Sequence, residues 1–218
     1  FEKEYMNNPI KEGSVFRKDW IKFKKMFPLD RYDKIVAYCD PSFKGSTQND
    51  YKAIKVWGKI GTELHHIKAF VRQCSVSEMV RWFYDLHESL PEGVICEYYI
   101  EANFLQDILL DEFTTEGKLR GYQLPIQADK RKKPDKFGRI EAVSPLWERG
   151  FVFYNEDMQN DPDMLAGIEQ TLSIEKGSRT HDDAPDADEG AIYILQKYTR
   201  VQEYQPSFGM RRSPKNSW

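Results

Sequence analysis

Apolar and polar positions change period several times along the chain, and the changes mark out its elements. Residues 35–40 are a short apolar run closed by an acid, the pattern of a central strand. Residues 51–58 alternate, Gly61 marks a turn, and 63–71 continue beyond it, so the three segments predict an antiparallel meander. From Val76 the period lengthens. Val76, Met79, Val80, Phe83, His87 and Leu90 share one helical face, Ser75 and Glu78 form a capping box, and Pro91 and Gly93 end the helix. Residues 94–101 read as the next strand, again ending in an acid. Asn103 can cap a helix through Leu105, Ile108, Leu109 and Glu112; a strand at 121–126, a helix near 139–149 and a last helix from about Ala184 to Tyr198 complete the pattern. Three strands, then alternating helices and strands, predict a layered α/β fold with a mixed sheet of five or slightly more strands, flanked by helices.

The flanks differ in character. Residues 1–27 are weakly periodic and broken by Pro9 and Gly13, so they are expected as a connector from an upstream domain. Residues 28–200 form the folded domain, and 201–218, with Pro206, Gly209 and Pro214, form a tail. Hydrophobic residues make up 40% of the 218, enough for a sizeable core. No apolar run approaches the ~20 residues of a membrane span, and the first residues do not form a signal peptide. Cys39, Cys74 and Cys96 are scattered and make no CxxC pair, which argues against zinc or disulfides and for a reducing compartment, with each cysteine a buried hydrophobe. Trp57, Trp82 and Trp147 read as core, His65 and His66 as surface and edge residues of their strand. Trp20 and Trp218, in the flanks, are candidates for contact with a partner.

Net charge is −3, yet its distribution matters more than its sum. Basic residues concentrate in 128–139, where Lys130, Arg131, Lys132, Lys133, Lys136 and Arg139 are candidates for phosphate contact, with a solvated basic loop as the bland alternative. Acids concentrate in 181–189. Asp40 closes the first strand and Glu101 the fourth; if these strands are parallel neighbours, both carboxylates emerge at one sheet edge, where sites in open α/β sheets form. On the last helix Asp183, Ala187, Ala191 and Ile194 share one side and Asp186 lies nearly on it. Ala187, Gly190 and Ala191 are small enough to let that helix approach the sheet, with Pro185 tolerated in its first turn. Asp40, Glu101 and Asp183 or Asp186 are therefore candidates for one anionic pocket. Crowded carboxylates stay ionised when a cation compensates them, and an all-oxygen set suits magnesium or manganese, held as two ions for phosphodiester hydrolysis. Taken singly, each acid reads more simply as a solvated loop residue or a helix cap.

Segments 4–9 and 13–16, Asp40-Pro41-Ser42, Glu101-Ala102-Asn103, the run 136–140 and the motif 181–187 together resemble the large terminase family of tailed bacteriophages. The resemblance implies a ribonuclease H-like nuclease that cuts concatemeric double-stranded DNA during genome packaging. It places Asp40 and Glu101 on two metal-ligand positions and the third on Asp183 or Asp186. It adds Asp50 and His181 as accessory candidates and sets the 130–139 stretch near DNA. It further implies an upstream ATPase domain, a portal and a small terminase subunit as partners, no membrane, and work in the bacterial cytoplasm at the procapsid. No Gly-x-x-x-x-Gly-Lys-Ser/Thr motif occurs, so the expectation is a fragment lacking the ATPase. The alternatives are another ribonuclease H-like nuclease, such as a junction resolvase or hybrid hydrolase, and a non-catalytic module docking on DNA or the portal.

Overall fold

The computed structural model describes residues 13–41, 51–101, 107–133, 135–177 and 181–198. The expected helix cap Asn103, the accessory candidate Asp50, Trp218 and the tail 201–218 lie outside the described residues.

The meander forms as the alternation requires. Strand β2 (Lys34–Asp40) pairs antiparallel with β3 (Tyr51–Ile60), and β3 with β4 (Glu63–Gln73), through the turn at Gly61. Gly61 has φ 58, a left-handed backbone that a side chain would strain. Helix α1 (Val76–Ser89) starts where Ser75 accepts the Glu78 amide at 3.1 Å, the cap expected from the sequence. Then β5 (Cys96–Glu101) returns parallel to β2, α2 (Asp107–Arg120) follows, and β6 (Ile126–Asp129) lies parallel to β5.

The strand expected at 121–126 instead occupies 126–129. Gly121 (φ 83) turns the chain out of α2, and Pro125 has no amide to donate to a ladder, so the apolar run is a turn and Leu124 packs into the core. Helices α3 (Lys136–Val143) and α4 (Pro145–Glu148) replace the single helix expected near 139–149, because Pro145 opens a new turn. The last elements among the described residues are β7 (Val152–Asn155), α5 (Pro162–Leu172) and α6 (Asp183–Lys197).

Including β1 (Phe23–Lys24), the sheet among the described residues has seven strands in the order β1-β7-β4-β3-β2-β5-β6. Two cores fill its two faces. One joins α1 and α2 to Ile35, Ala37, Cys39 and Ile54. The other seats α5 and α6 against Val36, Tyr38, Ala53 and Trp57. Val15 and Phe16, within the expected connector, belong to the second core. No helix among the described residues is long and apolar enough to cross a membrane.

His65 and His66 correct an expectation. Both are fully buried, because β7 pairs with Leu64, His65 and His66 and turns the expected edge of the meander into its middle. His66 stacks on Trp57 at 4.7 Å, and His65 bonds to Tyr32 and Glu63.

Helix α6 approaches the sheet because of its small face. A Cβ on Gly190 would lie 2.4 Å from the Tyr38 ring, and that ring is fully buried with its hydroxyl donating to Asp129. Alanine in mid-helix ordinarily gains about 1 kcal/mol over glycine; here overpacking costs about 1–3 kcal/mol and should win. Gly190→Ala is expected to lower the thermal midpoint, and an unchanged or raised midpoint would show that the contact is not tight.

Candidate metal centre

Three parallel strands, β2, β5 and β6, end in acids that face α6. Cys39 pairs with Ile100, which brings Asp40 and Glu101 side by side at the carboxyl edge, and Glu101 pairs with Asp129. Above them α6 contributes Asp186. One carboxylate oxygen from each of Asp40, Glu101 and Asp186 lies within 4.8 Å of the others. Magnesium binds oxygens at about 2.0–2.1 Å, so ligands across one ion stand roughly 4 Å apart. The trio is thus near the spacing that one hard cation needs. Its donors are all carboxylates, and the residues present fit a magnesium- or manganese-type ion.

Asp183 is buried at the start of α6, with His181 Nδ1 3.9 Å from its carboxylate, and lies outside that close trio. It still bears on the pocket, since its charge helps to raise the Asp40 pKa. His181 is exposed and tilts against Tyr51 at 4.5 Å.

The basic stretch divides into two groups. Lys130 and Lys132 are exposed. The others turn inward. Lys136 Nζ stands 2.8 Å from Asp182, 3.3 Å from Asp186 and 3.5 Å from Asp40. Lys133 Nζ lies 3.0 Å from Glu101, an ion pair whose angles do not make a hydrogen bond. Arg139 donates to Asp186 and Glu189, and Arg131 to Glu189 and Asp129. Sequence reasoning missed Asp129 and Glu189 as parts of the site. An acid ending the third parallel strand is the signal for Asp129, and the misplaced strand boundary hides it.

Burial, followed by the neighbouring Asp186 charge, pushes the Asp40 carboxyl from 3.8 up to about 7, against the pull of Lys136. Burial also works to raise Asp186, yet Lys136, Lys133 and Arg139 outweigh it and hold that group below its usual value. Lys136 is disfavoured as a cation by burial, but Asp40, Asp186 and Asp182 more than restore it and keep it charged. The pocket therefore keeps one carboxyl near its titration point and compensates the others with ammonium groups.

Between 3.8 and about 7 the folded chain holds a proton on Asp40 that the unfolded chain has released, so this contribution to stability is lost as pH rises through that window. His65 and His66, held neutral chiefly by burial, act in the opposite sense near 6.5. The isolating measurement is the difference between wild type and Asp40→Asn in chelator. The wild-type midpoint should fall relative to the variant as pH rises from about 4 to about 7; a constant difference would place the raised group elsewhere.

Comparison with solved structures matches this architecture to viral terminase nuclease domains. The human cytomegalovirus terminase nuclease domain superposes with a TM-score of 0.58 at 14% identity, covering 83% of this chain and 95% of that one. A large terminase from a thermophilic bacteriophage gives a TM-score of 0.56 at 16% identity, covering 85% of this chain and 44% of that one.

The fold is that of a terminase nuclease domain.

It is the ribonuclease H-like arrangement, a mixed sheet between helical layers, that the sequence led us to expect. A manganese-soaked form of the cytomegalovirus domain matches with a TM-score of 0.54 at 14% identity, covering 83% of this chain and 95% of that one. The chain spans less than half the length of the thermophilic-phage large terminase. No protein-family model and no curated protein matches the sequence. Within this fold, the carboxyl edge of β2 and β5 under α6 is where Asp40, Glu101 and Asp186 meet.

Proposed function

We propose that this chain is the nuclease domain of a terminase, a metal-dependent endonuclease that cuts double-stranded viral DNA during genome packaging. The observation that carries the reading is the convergence of Asp40, Glu101 and Asp186, from three distant segments, within 4.8 Å on a terminase nuclease fold. Asp40 and Asp186 are nearly inaccessible to water, and burying like charges together is costly without a cation. Asp40, Glu101 and Asp186, with Asp183 beside them, are the residues that would hold divalent ions. Two magnesium or manganese ions there would supply a nucleophile at neutral pH and compensate charge on the phosphodiester. The manganese-soaked cytomegalovirus domain supports a divalent ion as the cofactor.

The chain's own residues set up the rest. Asp40 and Glu101 are fixed by the ladder between β2 and β5, and Asp186 by the seating of α6 on Tyr38. Lys133 and Lys136, the inward lysines of the basic strip, reach Glu101, Asp40 and Asp186, placed to neutralise carboxylates without a metal and to meet phosphate with one. Lys130 and Lys132 face solvent as phosphate contacts. The match to the thermophilic-phage large terminase supports a longer subunit with an ATPase part; portal and small-subunit contacts, and work at the procapsid in an infected bacterium, belong to the same proposal.

The test is cleavage of supercoiled plasmid, linear duplex, four-way junction and RNA–DNA hybrid, each in magnesium, manganese and chelator. Metal-dependent nicking and linearisation of duplex DNA is expected. Preference for junction or hybrid would make it a different ribonuclease H-like nuclease. Metal-independent binding with no cutting would make it a docking module.

A further inference from the structure

The arginines of the basic strip are engaged by carboxylates of α6. Arg139 Nη1 donates to Asp186 at 2.9 Å and also to Glu189. Glu189 receives a bidentate pair from Arg131 at 2.7 and 2.9 Å. Arg131 continues through its Nε to Asp129 at 3.0 Å, and the Tyr38 hydroxyl donates to the same carboxylate oxygen at 2.7 Å. The Arg131 guanidinium lies over the Tyr193 ring at 3.8 Å. Side-chain exposure is 13% for Arg139, 9% for Arg131 and 5% for each of Asp129, Asp186 and Glu189.

This chain of alternating charges has both ends at the acidic pocket. Asp186 and Glu189 are one helical turn apart on α6, so Arg139 clamps the helix at the turn that carries the pocket acid. At the other end Asp129 is in register with Glu101, and Tyr38 precedes Asp40 by two residues on the same sheet face. Four separate elements, β2, β6, α3 and α6, are tied to one another through it. A phosphate would have to displace a buried carboxylate to reach the Arg131 fork or the Nη1 of Arg139, whereas Lys130 and Lys132 are open.

We propose that Arg139, Glu189 and Arg131 are positioning residues that orient Asp186 for a divalent cation and do not contact DNA. The inference rests on the nuclease reading above. Partners behind a metal ligand fix its orientation, and losing one typically weakens metal binding about 10–100-fold.

The test is calorimetric titration with manganese alone, alongside duplex DNA binding in chelator. Glu189→Gln keeps the shape but removes the charge that holds both arginines; its manganese Kd should weaken about 10–100-fold with DNA affinity and its salt dependence unchanged. Arg139→Lys should recover most of the manganese affinity lost in Arg139→Gln, because a single nitrogen serves both carboxylates. Arg131→Lys should not recover what Arg131→Gln loses, because an ammonium cannot reproduce the bidentate fork. Neutralising Lys130 and Lys132 should weaken DNA binding and flatten its salt slope, with manganese binding unmoved. A manganese Kd unchanged in Glu189→Gln overturns the inference, as does an Arg139→Gln variant that loses DNA affinity while keeping manganese. If Glu189→Gln does not fold, the Arg139 pair decides. The nuclease reading fails separately, and this inference with it, if wild type takes up no manganese or Asp40→Asn takes it up equally well.

Discussion

Asp40→Asn should abolish metal-dependent cleavage while leaving the metal-free chain as stable as wild type or more so above neutral pH. The two effects have one cause. Asp40 is 3% exposed at the end of β2, faces Asp186 and Glu101, and has its pKa pushed by burial to about 7. Ionised and without a cation, it works against the fold; with one, it is one of the three carboxylates placed to hold it. At an effective dielectric of ~20, unit charges ~4 Å apart interact by roughly 4 kcal/mol. A loss of about that size in the transition state corresponds to about a thousandfold in rate. Plasmid nicking should therefore fall by about a thousandfold or more, while thermal melting in chelator at pH 8 shows no loss. Retained cutting would remove Asp40 from the mechanism, and a large drop in stability would make its role structural.

The second large effect lies under α6, away from the pocket. Asp188 is buried against the sheet, accepts from Trp57 Nε1 at 2.8 Å and faces Lys55 Nζ at 3.6 Å, with neither Lys55 nor Asp188 exposed. Burial drives both partners towards their neutral forms, lowering the lysine and raising the aspartate. Removing one partner of a buried pair costs about 3–5 kcal/mol, since it strands the other charge. Asp188→Ala should cost that much, and for a chain of this size the melting midpoint should fall by roughly 10 °C. Lys55→Met combined with Asp188→Asn should regain most of the loss, because asparagine still accepts from Trp57 and no charge remains. Losses that simply add in the double variant would show that the two residues are not coupled.

Much of this was legible where the signal is local. The alternation at 51–58 and 63–71, the Ser75 cap and the small face of α6 each report on neighbours within a few residues, and each produced the element expected. Asp40 and Glu101 could be brought together because a strand-closing acid repeats on parallel strands. What failed depends on partners far along the chain. The burial of His65 and His66 requires the four-residue strand β7, which has too few positions for a period to show. Helix α5 does carry a local signal that the periodicity reading passes over, Asp161 capping Met164 with Pro162 at its first position. A strip of lysines does not reveal that Glu189, 58 and 50 residues away, accepts from Arg131 and Arg139. The acids of 181–189 likewise diverge: Asp186 to the pocket, Asp188 to Lys55, Glu189 to the arginines.

The most direct measurement is anomalous diffraction from crystals of this chain soaked in manganese. Density is expected among the carboxylates of Asp40, Glu101 and Asp186, with the Lys136 ammonium moved off the acids. An empty cluster with Lys136 still seated on Asp40 and Asp186, at manganese concentrations that support cleavage, would contradict the account.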